Sequence, residues 1–106
     1  MQGFCQIFFG AETEEKAKKI IDALFEAKLI ACADSFPINA NYYWKGAIQR
    51  ENRVQIIAYS MFKLKDEIIS KITQNHTDEV PAIVFTEITV NQEYLDWIEE
   101  SVKRKV

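Results

Sequence analysis

Apolar residues near the start of the chain change from a continuous run to a helical repeat. Residues 4–9 are mostly aromatic or aliphatic, and Gly10 closes the run, which predicts a buried strand. Thr13 is placed to cap a helix whose first turn contains two glutamates, where the helix dipole favours acidic groups. Apolar residues then recur at helical spacing, at Ala17, Ile20, Ile21 and Leu24. The chain is therefore predicted to begin with a strand and a helix.

A long β-hairpin is predicted for the middle of the chain. Residues 29–44 have an extended pattern, and Lys45-Gly46 is a tight-turn signal. Residues 54–59 then alternate between two faces, as expected for the returning strand. Pro37 has no backbone N–H to donate, so the first arm of the hairpin is predicted to lie at a sheet edge or a bulge.

The second half of the chain predicts a helix, a strand and a further helix. Ser60 is placed to cap a helix that ends near His76 and carries one apolar stripe of Leu64, Ile68 and Ile72. A strand follows over residues 82–89. Asn91 is then expected to cap a last helix, whose inward residues are Tyr94, Leu95, Ile98 and Val102.

The predicted order of elements is βαββαβα. Its first six elements match the split-βαβ arrangement of ferredoxin-like folds, an α+β class in which two helices cover one face of an antiparallel sheet. The C-terminal helix and the long β2–β3 hairpin are additions to that plan. A chain of 106 residues fits one domain, over residues 1–106.

Composition and charge narrow the classes of function. The formal net charge of −3 argues against nucleic acid, whose phosphates require a basic face. No apolar run is long enough to span a membrane, and the N-terminus lacks the basic region of a signal peptide, so we expect a cytoplasmic protein. The two cysteines, Cys5 and Cys32, are too few for a disulfide framework. Lys103-Arg104-Lys105 is interpreted as a set of cations at a helix C-terminus.

Three stretches of sequence carry a resemblance to a known family. They are Leu29-Ile30-Ala31-Cys32, the hairpin tip Tyr42-x-Trp44-Lys45-Gly46-x-Ile48, and His76 with Glu79-Val80-Pro81, followed by Tyr94-Leu95-Asp96-Trp97-Ile98. In order and spacing they resemble the CutA divalent-cation tolerance family, of which this chain looks like a divergent member. The histidine-proline-tyrosine-glutamate turn common in that family stands here as His76-Thr77-Asp78-Glu79.

The resemblance implies a homotrimer of ferredoxin-like subunits whose long hairpins pair with their neighbours. It also implies a cytosolic role in divalent-metal tolerance that includes copper binding. On this basis Asp34, Tyr42, Trp44, Lys45 and Tyr59 are assigned to the cleft between subunits or to the hairpin. Tyr42 and Trp44 share a strand face, where they either stack on a ligand or bury against a neighbouring subunit.

The candidate metal ligands are Cys32, His76 and Glu79. Cu(I) prefers thiolate, and imidazole and carboxylate would add to it. The alternatives are that Cys32 acts as a small apolar residue and that His76 interacts with the last carbonyls of its helix. Because no set of three or four ligands is visible in the sequence, we expect no tightly bound cofactor. Any copper or other divalent metal would bind weakly and exchange.

An enzymatic function finds no support in the sequence. There is no Ser-His-Asp arrangement and no glycine-rich phosphate loop, and the chain has three glycines in total. We therefore expect a non-enzymatic trimer. Two alternatives remain open, a trimeric sensor of a small organic ligand bound between subunits and a structural interaction module.

Overall fold

The computed structural model describes residues 3–103, which form a four-stranded sheet with three α-helices. The elements in chain order are β1 (Phe4–Ala11), α1 (Glu14–Glu26), β2 (Cys32–Trp44), β3 (Ala47–Met61), a 3₁₀ turn (Phe62–Leu64), α2 (Lys65–Asn75), β4 (Ile83–Glu87) and α3 (Gln92–Ser101). The strand order is β2-β3-β1-β4, and every pairing is antiparallel. This is the ferredoxin-like topology, and the predicted fold class is confirmed.

One face of the sheet forms the core. The β1–β3 register places Ile7 opposite Ala58 and Phe9 opposite Ile56, and all four side chains are buried. The helices cover this face with the buried residues Ile20, Leu24, Ile68 and Ile72. Burial of each such side chain stabilises the fold by roughly 1.5–3 kcal/mol. The apolar stripes predicted for α1 and α2 therefore face the sheet as expected.

The other face of the sheet, called here the open face, is only partly covered. It carries the even-numbered residues of β1, β2 and β4 and the odd-numbered residues of β3, because side chains alternate along a strand. Apolar side chains occupy its middle, and Phe36 is 40% exposed and Val84 is 51% exposed. Partly covered apolar surface of this kind on a sheet marks a place where another molecule can bind.

The hairpin of β2 and β3 ends in a two-residue turn. Trp44 pairs with Ala47, and the residues between them both have positive φ, 51° at Lys45 and 82° at Gly46. Positive φ at both central positions is the type I′ geometry that suits the twist of a hairpin. The predicted tight turn is confirmed. β2 lies at the edge of the sheet, which is one of the two placements predicted from Pro37.

Ser60 does not cap a helix, so that prediction was wrong. It lies in β3, where it is fully buried, and its hydroxyl donates a hydrogen bond to the Leu29 carbonyl oxygen at 2.5 Å. β3 continues to Met61, and α2 begins only after the 3₁₀ turn, with no side-chain cap. The short-range sequence signal for a cap was overridden by a long-range contact.

Two further boundaries differ from the prediction. β4 ends at Glu87, two residues before the predicted end at Thr89. α3 ends at Ser101, so Lys103 lies beyond its last turn, where its ammonium group forms an ion pair with Glu67 of α2. Lys103 also donates its backbone N–H to the Lys28 carbonyl oxygen at 2.8 Å. Arg104 and Lys105 lie outside the described residues.

Replacement of Ser60 by alanine tests the importance of the buried contact. We expect Ser60→Ala to lower the free energy of unfolding by about 1–3 kcal/mol, because the buried Leu29 carbonyl oxygen would lose its partner. Urea unfolding at one fixed protein concentration measures this. Ser35→Ala, at an exposed position of β2, is the control and should stay within about 0.5 kcal/mol of the parent. Equal stability of both variants would contradict the role given to Ser60.

Candidate ligand site on the open sheet face

A cavity of about 640 Å³ lies at the hairpin end of the open face. We call it the hairpin cavity. The hairpin forms one wall and the loop between α2 and β4 forms the other, with Gly10 between them. Its lining residues include Ala40, Tyr42, Tyr43, Trp44, Arg53, Asp78, Glu79 and Val80. The volume lies in the range that accommodates small organic ligands.

Four side chains form a hydrogen-bond network that joins the hairpin side of the cavity to the loop between α2 and β4. The Tyr42 hydroxyl donates to Glu51 at 2.6 Å, and Arg53 donates to the same carboxylate oxygen at 3.0 Å. The second terminal nitrogen of Arg53 donates to Asp78 at 2.6 Å. The hydrogen bond from Tyr42 and the nearby guanidinium lower the pKa of Glu51, and the same bond raises the pKa of Tyr42. The charge of Arg53 is therefore already matched by two carboxylates.

His76 fixes the loop that carries Asp78. Its side chain is 2% exposed. Its Nε2 lies 2.6 Å from the Gly10 carbonyl oxygen, and its Nδ1 accepts the backbone N–H of Asp78 at 2.9 Å. Since a carbonyl oxygen only accepts, the proton of the neutral ring must be on Nε2. The His76 side chain thus joins the loop to β1, and does not bond the last carbonyls of its helix as one interpretation of the sequence suggested.

Lys45 and Glu79 face each other across the mouth of the hairpin cavity. The Lys45 ammonium lies 4.0 Å from the Glu79 carboxylate and 5.7 Å from the centre of the Trp44 ring. Both charged side chains are more than 70% exposed. Ion pairs in such positions contribute about 0–1 kcal/mol, so this contact is easily displaced. Four of the predicted site residues, Tyr42, Trp44, Lys45 and Glu79, therefore lie together at this site.

A second group, here called the thiol cluster, consists of the predicted site residues Cys32 and Tyr59 together with Tyr94. The Cys32 sulfur lies 3.2 Å from the Tyr94 hydroxyl oxygen, and the Tyr59 and Tyr94 rings meet edge to face with centroids 5.8 Å apart. Burial raises the pKa of Tyr94 well above its ordinary value, and the contact with Cys32 raises it further. Asp34 is close enough to contribute to the same shift.

The predicted metal ligands do not come together within one chain. Cys32 pairs with Tyr59 of β3, whereas Gly10, which bonds His76, pairs with Gln55. Tyr59 and Gln55 are four residues apart on β3, so the two pairing positions are about 13 Å apart along the strand. Within residues 3–103, no three His, Cys, Asp or Glu side chains are grouped so that they could hold a metal ion. A closed metal centre therefore does not fit the described part of one subunit.

Sequence reasoning missed Arg53, Glu51 and Tyr94 as site residues. Glu51 and Arg53 are two residues apart and so share a strand face, a signal that was present in the polar stretch of the hairpin. Tyr94 was predicted to point into the core, and only the packing of α3 brings its hydroxyl to Cys32. No local pattern in the sequence indicates that contact.

The fold and the site together define an α+β domain with ferredoxin-like topology, one open sheet face and a ligand-sized cavity beside its hairpin. The sequence signature described as CutA1 divalent ion tolerance protein matches residues 5–101. The chain therefore belongs to the CutA family of divalent-cation tolerance proteins.

Relatives and solved structures agree with this family assignment. The divalent-cation tolerance protein CutA of Pyrococcus horikoshii is 34% identical over 91 residues, covering 85% of this chain and 89% of the relative. The divalent-cation tolerance protein CutA of Thermotoga maritima is 36% identical over 90 residues, covering 84% of this chain and 89% of the relative. The solved structure of the periplasmic divalent cation tolerance protein CutA from Archaeoglobus fulgidus superimposes with a TM-score of 0.92 at 30% identity, covering 94% of this chain and 99% of that one. No helix within residues 3–103 is long and apolar enough to cross a membrane.

The two thiols are expected to differ in reactivity. Cys5 is fully buried in β1, and burial raises the pKa of its thiol to about 12, so very little of the reactive thiolate is present at pH 8. Cys32 lies at the partly exposed start of β2. A disulfide reagent at pH 8 should modify Cys32 in the folded protein and reach Cys5 only on unfolding. Cys32→Ser should abolish the native reaction, and rapid modification of Cys5 in that variant would contradict this assignment.

Proposed function

We propose that this protein is a cytoplasmic, non-enzymatic homotrimer that acts in divalent-metal tolerance and binds copper weakly through Cys32. The observation that carries this proposal is the open face, where apolar side chains on a sheet remain uncovered by the protein's own helices. Two free thiols, Cys5 and Cys32, are consistent with a reducing compartment. The role of the protein in this proposal is binding, and no catalytic step is assigned to it.

The edges and the open face of the sheet support the proposed assembly. β2 and β4 are the two edge strands and differ in length and sequence, so a contact between unlike edges of two copies is head to tail. Head-to-tail contacts that close form rings, which leave no free edge for further growth. Three is the number of subunits that the family resemblance implies. In such a ring the middle of the open face would lie against a neighbour.

Sedimentation equilibrium at micromolar concentration tests the assembly. We expect about three times the chain mass, because obligate assemblies persist in that concentration range. Phe36→Gln, on the open face, should shift the mass towards smaller species, because it removes an aromatic anchor from the interface. Phe25→Gln is the matched control, since Phe25 on α1 is 44% exposed and Phe36 is 40% exposed. A monomeric parent protein, or equal effects of both substitutions, would refute this arrangement.

The copper proposal places Cys32 at the centre of a weak site. A thiolate is the ligand that Cu(I) prefers, and Cys32 lies on the open face where a second subunit can add ligands. Both ring nitrogens of His76 already have hydrogen-bond partners in its own chain, which weakens it as a ligand. Glu79 lies beside the hairpin cavity and not beside the thiol cluster. The Cys32 thiolate is therefore assigned most of the affinity.

Titration of Cu(I) into four proteins, the parent and three variants, tests this assignment. We expect Cys32→Ser to lose at least about tenfold in affinity, and His76→Ala less than about threefold, because only the first removes a soft ligand. Affinity should fall as the pH is lowered, because protons compete with the metal for the sulfur. Cys5→Ser is the matched control and should bind as the parent does. Equal affinity in all four proteins would remove Cys32 from the site.

The hairpin cavity favours a second candidate function, the sensing of a small organic ligand. Its volume and its aromatic wall of Tyr42 and Trp44 suit a small molecule better than a bare metal ion. The two candidate functions use different parts of the open face, because the thiol cluster and the hairpin cavity lie beside different residues along β3. They can therefore be tested separately, by copper at Cys32 and by organic ligands at the cavity.

A further inference from the structure

The charges around the hairpin cavity favour a cation over an anion. Arg53 is the cation among the residues that line it, but one N–H on each of its terminal nitrogens already donates to a carboxylate, Glu51 or Asp78, so two negative charges offset its positive charge. Glu79 adds a carboxylate at the mouth that makes no ion pair with Arg53. An entering anion would meet the carboxylates of Asp78 and Glu79, whereas an entering cation would meet those carboxylates and the faces of aromatic rings.

Lys45 already places an alkylammonium group at this position. Its ammonium lies over the Trp44 ring and beside Glu79, at the distances given above, so both types of contact that a cation would make are occupied from within the chain. Both contacts are long and exposed. A free amine that also entered the cavity would make the same contacts and exclude more water, so it would displace Lys45 at little cost.

We infer that the hairpin cavity binds alkylammonium ions, with Trp44 and Glu79 as the recognition pair and Lys45 as an internal competitor. This inference rests on the second candidate function, the sensing of a small organic ligand, and names the chemical class of that ligand. Recognition then depends on a positive charge on an aliphatic chain, because the aromatic wall accepts the chain and Glu79 accepts the charge. The site does not require copper or Cys32.

Three probes of equal chain length test the inference, namely 1,5-diaminopentane, 1,5-pentanediol and pentanedioate. The chain has two tryptophans, Trp44 in the cavity and Trp97 on α3, so the indole N–H signals in a ¹H–¹⁵N spectrum give one reporter and one internal control. We expect the diamine to shift the Trp44 signal in a saturable way and to leave Trp97 unchanged. The diol and the diacid should shift neither. Equal shifts with the diol, stronger binding of the diacid, or no shift with the diamine would each overturn the inference.

Three variants assign the contacts. Glu79→Gln should weaken diamine binding about three- to fivefold, as expected for loss of one exposed ion pair. Lys45→Asn should strengthen it by a similar factor, because it removes the competitor and asparagine tolerates the positive φ of this turn. Glu99→Gln, at an exposed position of α3, is the matched control for the loss of one negative charge and should leave the affinity unchanged. Equal effects of Glu79→Gln and Glu99→Gln would show attraction to net charge only and would overturn the assigned contacts.

The same samples separate this inference from the proposed assembly and copper site. Sedimentation equilibrium on the titrated protein reports the number of subunits independently of the indole signals. Diamine binding by a protein that sediments as a monomer would leave the inference standing while the trimer fails. A trimer whose Trp44 signal does not respond to the diamine would overturn the inference and leave the trimer standing. In that case a neighbouring subunit or the chain itself would fill the cavity. Cys32→Ser should bind the diamine as the parent does.

Discussion

The register between β1 and β3 is the constraint on which the remaining features depend. It sets Ile7 opposite Ala58 and therefore directs both towards the helices, and it sets Phe8 opposite Ile57 on the open face. A slip by one residue would move the whole apolar set of each strand to the wrong face, at a cost comparable to the stability of a small domain. In this register the buried Ser60 hydroxyl also donates a hydrogen bond to the Leu29 carbonyl oxygen, which adds a polar contact to the apolar ones. The sheet thus has one fixed inner face and one fixed outer face.

The open face has two chemical regions. Its middle is apolar, with Phe8, Phe36 and Ile57, and such a surface suits a second protein because burial there needs no polar partners. Its hairpin end is charged and aromatic, and the charges are held by a network within the chain. The exposed pair of Lys45 and Glu79 at the same end is easily displaced, which suits a small ligand that binds reversibly. The proposed assembly and the proposed ligand binding would therefore use neighbouring regions of one surface.

Hydrogen bonds connect all the elements around the hairpin cavity. His76 bonds Gly10 of β1 and the backbone of Asp78, and the Asp78 side chain continues to Arg53 of β3. Glu51 then joins Arg53 to Tyr42 of β2. Aspartate stands at position 78, where the family pattern noted above has tyrosine, and its carboxylate supplies the link to β3. The departure from the family pattern at this position therefore supplies one link of the cavity wall.

The sequence by itself determined the order of elements, the apolar stripes of the helices and the tight turn of the hairpin, and it limited β2 to a sheet edge or a bulge. Each of these depends on residues near one another in the chain, through side-chain periodicity, positive φ at Lys45-Gly46 or the missing N–H of Pro37. The tertiary structure decided which distant side chains meet. It buried Ser60 in place of a cap, brought Tyr94 to Cys32 across 62 positions and separated Cys32 from His76 along the sheet. These outcomes depend on strand register and on the path of α3, which no local pattern of residues encodes.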